Sequence, residues 1–262
     1  MKTIAIMNLK GGVGKTITAV NMAALLAEKH GKRVLLVDAD HQGNTSSFFC
    51  ADADGTTLRD ILLAQSEPYW ADCVQASGIE GLGVVPSDMR LADLDVSGQE
   101  NTEAYNRRFT RLRDFITCAA EDDAYDFCII DLPPAFSTAS KAALVAADEV
   151  IIPIKIDAFS VSGLAELLAQ VDNLRKVNPS LRVAGTLVTM YRNSELNSDA
   201  LCFLQKHGIP CFGTLIRWTD KLVDESTFAH RPLHLYSPRC AASVDYRRFV
   251  VEYLEEVSRN GR

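Results

Sequence analysis

The chain has 262 residues, with 27 Lys and Arg against 34 Asp and Glu, which sets a formal net charge of −7. Hydrophobic residues make up 47% and charged residues 23%, with aromatic and β-branched side chains spread throughout, which excludes a disordered chain and fits a large globular core. The acidic balance excludes a protein that coats nucleic acid over its whole surface, and it leaves room for a local basic patch. The seven cysteines are odd in number and none are spaced as CxxC, so free thiols are expected rather than a disulfide framework or a zinc site. No stretch approaches the roughly 18 apolar residues of a membrane span, and the N-terminus lacks the pattern of a signal peptide. One soluble, cytoplasmic domain over residues 1–262 is expected, with no stable membrane association.

Short apolar runs alternate with helix-like stretches. In chain order, residues 3–7, 33–37, 83–85, 127–130, 150–154, 183–189 and 211–216 read as strands. Several are apolar at consecutive positions, as in strands buried on both faces of a parallel sheet. Amphipathic stretches at 16–29, 105–120, 137–146, 161–177 and 196–207 read as helices, with Gly31 and Gly208 where C-cap glycines belong. Residues 86–102 are polar and broken, and read as a surface loop with one helical turn. Arg107, Arg108, Arg111 and Arg113 read as the solvent face of a helix. The last stretch, 241–258, has Val244, Phe249, Val250, Leu254 and Val257 in helical phase and reads as a core-packing helix. Its polar face mixes Arg247 and Arg248 with Glu252, Glu255 and Glu256, unlike the basic face of a membrane-surface helix. Strands alternating with helices predict a doubly wound, mostly parallel α/β sheet flanked by helices.

The strongest signal is Lys10-Gly11-Gly12-Val13-Gly14-Lys15-Thr16, which follows the first strand and opens the first helix. Glycines let the backbone fold tightly and aim successive N–H groups at phosphate oxygens, and the helix N-terminus adds positive potential. Lys15 can reach β- and γ-phosphates, and the Thr16 hydroxyl can ligate Mg²⁺. In the general pattern GxxxxGK[ST] the first glycine position is Leu9 here, with Lys10 beside it. A second lysine in so small a loop is offset only by dense negative charge, so Lys10 is expected to have a phosphate partner of its own.

This string resembles the deviant Walker A loop of the ParA/MinD ATPases, and within them the Soj-like DNA-partitioning branch. The resemblance implies a P-loop fold, ATP and Mg²⁺ as cofactors, and nucleotide contacts from Lys10, Gly11, Gly12, Val13, Gly14, Lys15, Thr16 and Ile17. It also implies an ATP-assembled sandwich homodimer in which Lys10 reaches the partner's phosphates. The likeness runs from Ile4 to about Leu254 and begins at the first strand, so no N-terminal helix-turn-helix domain is expected.

Further along, Asp38-Ala39-Asp40-His41-Gln42-Gly43-Asn44 places two carboxylates just past a strand's C-terminal end, where α/β sheets bind ligands. It resembles the family's DxDPQGN switch segment, with His41 at the usual proline. The resemblance implies that Asp40 orients the attacking water and that Asp38 lies near the Mg²⁺ shell. Residues 125–134 read as a buried strand ending in Asp131 and resemble the family's YDYIIIDxPP, which makes Asp131 an Mg²⁺ ligand alongside Thr16. Two later segments resemble the family's base pocket: Leu187-Val188-Thr189-Met190-Tyr191, through Met190, and Leu215-Ile216-Arg217-Trp218, through Ile216 and Arg217. Arg217 stands where the family has proline.

Charge is unevenly spread. Residues 175–248 hold 11 Lys and Arg against 6 Asp and Glu, a surplus of +5 that leaves −12 on the rest. A basic third on an acidic protein suits a one-faced DNA binder. The resemblance places Lys221 where an arginine that contacts DNA occurs, and Ser194 at a second such position with Arg192 close by. With Arg247 of the same basic stretch, Arg192 and Lys221 are the candidate contacts to nonspecific DNA. The family further implies a ParB-like centromere-binding partner that stimulates slow ATP hydrolysis. A MinD-like membrane-cycling ATPase is the alternative, and a relative of the nitrogenase iron protein would need paired cysteines that this chain lacks.

Overall fold

The computed structural model of the chain describes residues 1–52, 54–66, 68–96, 102–156, 160–219 and 221–260. Its strands are β1 (Lys2–Ile6), β2 (Val34–Asp38), β3 (Gln75–Ala76), β4 (Leu82–Val85), β5 (Phe127–Asp131), β6 (Glu149–Lys155) and β7 (Arg182–Thr189). Between and after them lie α1 (Lys15–His30), α2 (Asn44–Phe48), α3 (Leu58–Leu63), α4 (Trp70–Cys73), α5 (Asp93–Val96), α6 (Thr102–Glu121), α7 (Thr138–Ala146), α8 (Ser160–Leu174), α9 (Glu195–Lys206), α10 (Leu222–Phe228), α11 (Leu233–Tyr236) and α12 (Ala241–Asn260). The strands form one sheet in the order β3-β4-β2-β5-β1-β6-β7. Neighbours are parallel except for the β3–β4 edge pair.

Successive residues of a strand point to opposite faces. Ile4 and Ile6 of β1, Val34 and Leu36 of β2 and Ile129 of β5 therefore enter one core, which α1 and α12 close. Ala5, Leu35, Val37, Cys128 and Ile130 enter the other, closed by α3, α6, α7 and α8. Burial on both faces is why these strands read as unbroken apolar runs. Among the described residues no helix is long and apolar enough to cross a membrane. All seven cysteines are free, and Cys128 is fully buried in β5.

Three expectations are corrected. Residues 211–216 do not form a continuous strand: Cys211 makes an isolated bridge to Thr186 of β7, and Phe212 N and Ile216 N donate to the Thr186 and Val188 carbonyls at 3.0 and 2.8 Å. Phe212 turns inward instead, and its ring lies so close to Gly185 that a Cβ there would come within 3.0 Å of it. The polar stretch at 86–102 carries more structure than one turn, with a 3₁₀ turn at Met89–Ala92 and then α5, because Leu91 and Leu94 are buried. Its last residues, 97–101, lie outside the described residues. Finally, Arg108 is not on a solvent face; it is 4% exposed and its Nη1 donates to the Leu94 carbonyl at 3.4 Å.

Candidate functional site

Three strand ends build the site. In register, Asp131 at the end of β5 lies beside Ile6 of β1 on one side and Asp38 of β2 on the other. Neighbouring strands are about 4.8 Å apart, so two carboxyls meet at one level on the sheet's C-terminal edge. The loop after β1 is pinned over this edge from both sides. Asn8 Nδ2 donates to the Pro153 carbonyl at 2.7 Å while its Oδ1 accepts from Lys10 N at 2.9 Å. On the β7 side, Thr189 Oγ1 donates to the Val13 carbonyl at 2.8 Å. Gly12 and Gly14 turn the loop at φ +69° and +82°, with open space where a Cβ of Gly12 would lie. Backbone conformation, not crowding, demands glycine at Gly12. Gly14 then caps α1 without any side chain on the first-turn N–H groups, which leaves them available to an anion.

The charges under the loop are buried. Lys15 is 8% exposed and its ammonium donates to the Lys10 carbonyl at 3.1 Å. Burial pulls its pKa down, and the carboxylates of Asp131 and Asp40 oppose that shift. Asp131 is pushed up to about 7, first by burial and then by the Asp38 charge, while the hydroxyls of Thr16 and Thr45 pull the other way. Asp38 is pushed up to about 6, chiefly by burial. Asp131 Oδ2 accepts from Thr45 Oγ1 at 2.8 Å, whereas its Oδ1 is buried with no hydrogen-bond partner. A buried carboxylate with an orphaned oxygen beside a second carboxylate fits a hard cation. Among the described residues no group of three or more His, Cys, Asp or Glu side chains forms a metal cage by itself, so a cation here relies on hydroxyl, phosphate or water oxygens as well.

Asp38 is differently placed. Its Oδ2 accepts from Ser46 N at 2.8 Å and Ser46 Oγ at 2.7 Å, and its Oδ1 accepts from Asp40 N at 3.2 Å. Both oxygens are thus occupied within the switch segment, which Asp38 organises from its place beside Asp131. Asp40 Oδ1 accepts from Gln42 N at 3.0 Å, and His41 Nδ1 lies 3.6 Å from the same oxygen. Several residues here escape sequence reasoning: Asn8, Thr45, Ser46, Ser87 and Thr189. Ser87 N donates to Ser46 Oγ at 2.8 Å, which ties the switch to the end of β4. The one available signal is the run of hydroxyl residues that follows Gly43.

Beside the loop lies a mainly apolar cavity of about 180 Å³, walled by Gly14, Ile17, Met190, Ile216, Trp218 and Tyr246. Met190 and Ile216 thus meet as the sequence suggests. Arg217 borders the same cavity, but its guanidinium is committed to α12: Nε and Nη2 each donate to Asp245 at 2.8 Å. Lys221 borders the cavity as the N-cap of α10, and Arg192 lies over the Trp218 ring at 4.7 Å. The third basic candidate, Arg247, sits on α12 with Nη2 donating to the Pro238 carbonyl at 2.6 Å.

A glycine loop between strand and helix, set over paired carboxylates at neighbouring strand ends, defines a P-loop nucleotide-binding protein. The chain belongs to the ParA/MinD family of P-loop ATPases. A family profile described as an AAA domain matches residues 1–183. The chromosome partitioning protein ParA of Caulobacter vibrioides is 32% identical over 260 residues, covering 97% of this chain and 94% of that protein. The chromosome-partitioning ATPase Soj of Thermus thermophilus is 34% identical over 260 residues, covering 98% and 97%. Among solved structures, cobyrinic acid a,c-diamide synthase of Mycobacterium smegmatis, with bound ADP and magnesium, matches with a TM-score of 0.81 at 25% identity, covering 100% of this chain and 97% of that one.

Proposed function

We propose that the chain is a ParA-type ATPase of DNA partitioning. It binds ATP with Mg²⁺, pairs into a nucleotide-sandwich homodimer, holds DNA without sequence preference, and hydrolyses ATP to ADP and phosphate under stimulation by a ParB-like partner. The single observation that carries the nucleotide reading is the orphaned Oδ1 of buried Asp131 beneath a loop that also presents Lys15 and the bare N-terminus of α1. Relatives named for chromosome partitioning support the rest.

In this reading residues 10–17 cradle the phosphates. Lys15 exchanges the Lys10 carbonyl for phosphate oxygens, and Lys10 reaches across to the partner's nucleotide. Thr16 and Asp131 would hold Mg²⁺, with Asp38 beside Asp131, and the ion would neutralise charge between the β- and γ-phosphates. Asp40 orients the attacking water. Catalysis is then mostly positioning and charge stabilisation, and turnover in the absence of the partner is slow. Met190 and Ile216 contact the base, and Arg217 shapes that wall through its pair with Asp245. Arg192, Lys221 and Arg247 meet DNA phosphates. The mixed polar face of α12 favours this DNA role over a membrane-cycling one.

The test is DNA binding with ATP, with ADP and without nucleotide, across a salt series. ATP-dependent binding that weakens steeply with salt is expected. Its absence removes the partitioning reading and leaves an ATPase. Asp40→Ala should accumulate an ATP-bound dimer that does not turn over, and undiminished phosphate release would remove Asp40 from that role.

A further inference from the structure

A second cavity, of about 490 Å³, lies between the end of α3 and the first half of α6, and shares no lining residue with the phosphate loop or the switch segment. Arg107, Arg108 and Arg111 of α6 line it, with Leu62, Leu63 and Gln65 on the α3 side. Arg111 stands four residues after Arg107 and three after Arg108, so the three arginines share about a third of the helix circumference. Among the described residues that line the cavity none is acidic. Backbone carbonyls orient two of the guanidinium groups. Arg111 Nη2 donates to the Gln65 carbonyl at 2.8 Å, and its Nε is buried with no hydrogen-bond partner. Arg108, only 4% exposed, donates from Nη1 to the Leu94 carbonyl at 3.4 Å. A carbonyl orients a guanidinium without cancelling its charge, so Arg111 keeps its charge and an unused donor. Gathering cations beside an apolar wall is costly unless an anion joins them.

We propose that this cavity is a second anion site, which binds a small phosphorylated molecule. Its phosphate meets the guanidinium groups of Arg107, Arg108 and Arg111, and its organic part lies against Leu62 and Leu63. A phosphate monoester carries close to two negative charges at neutral pH and offers three acceptor oxygens, which suits several guanidinium forks better than one carboxylate does. The volume exceeds that of a bare phosphate and falls in the range of small-ligand pockets. The deep burial of Arg108 favours a small molecule over the backbone of a DNA duplex, which reaches only exposed side chains. The inference is independent of the nucleotide reading, because the two sites have no residue in common.

The probe is phenyl phosphate, titrated by calorimetry into the full chain in saturating MgADP, which keeps the phosphate loop occupied. One saturable site is expected. Arg111→Gln should weaken it about tenfold, and Arg107→Gln, at an exposed position where the fold is not at risk, about threefold. Arg113→Gln removes the same charge from α6 but lines a different cavity, and should leave the affinity unchanged. Absence of saturable binding in MgADP overturns the inference, as does binding that Arg107→Gln and Arg111→Gln leave intact or that Arg113→Gln weakens equally. A DNA duplex that displaces phenyl phosphate and itself loses affinity in Arg111→Gln assigns the cluster to DNA and overturns the small-molecule reading.

Discussion

Asp131→Asn should stabilise the protein when neither metal nor nucleotide is bound. Asp131 is fully buried, its Oδ1 has no partner, and burial together with Asp38 pushes its pKa up from 3.8 to about 7. A group whose folded pKa is raised contributes stability that is present below its unfolded pKa and lost as pH rises through the folded value. Keeping Asp131 ionised in its dry site beside Asp38 costs the fold about 2 kcal/mol above pH 7. Asparagine carries no charge and keeps an oxygen for Thr45. In EDTA at pH 8 the variant should therefore melt roughly 5 °C above the parent. The gap should narrow as pH falls from 7 towards 4, where the parent's carboxyl is neutral in the folded state. With magnesium and ADP the order should invert, because the variant has lost an anionic ligand. Calorimetric melts from pH 5 to 8, with and without ligand, decide it. An apo variant less stable than the parent at pH 8, or a gap that widens towards acid, would refute the account of Asp131 as a carboxylate held in strain for a cation.

Two further outcomes follow from the geometry. Arg217→Ala leaves Asp245, whose side chain is 3% exposed, buried without its bidentate partner, and should cost about 2–3 kcal/mol in urea unfolding. Adding Asp245→Asn should recover part of that loss, and a single variant as stable as the parent would show that the pair does not hold the base wall. Gly43→Ala forces a side chain into φ +62° and brings its Cβ to 3.2 Å from the Ser87 carbonyl, so about 1–2 kcal/mol of destabilisation is expected, with slower ATP turnover. Unchanged phosphate release in that variant would separate the conformation of α2 from catalysis.

The phosphate loop and the three strand-end carboxylates are legible in the chain because local sequence carries their requirements. Glycines at Gly12 and Gly14 and the apolar strand that ends in Asp131 are written in adjacent residues. The short helices α2, α3, α10 and α11 are not, since four to seven residues lack a periodic pattern and gain their order from packing. Arg108 shows the same limit: its position in the helix pattern looks solvent-facing, and only tertiary packing, with the Leu94 carbonyl among its partners, decides its burial.

The sequence by itself determined the class: a strand, a glycine loop and a helix, followed by carboxylates spaced along a doubly wound chain. Which oxygens are free was decided by tertiary structure alone. Asp38 and Asp131 look alike in sequence, each ending a buried strand, yet Ser46 and the Asp40 amide occupy both oxygens of Asp38 and leave one of Asp131 unpartnered. Arg217 is likewise turned from a base contact into a clamp by Asp245, 28 residues away. Hydrogen-bond partners that come from distant parts of the chain have no local pattern, so packing had to choose them.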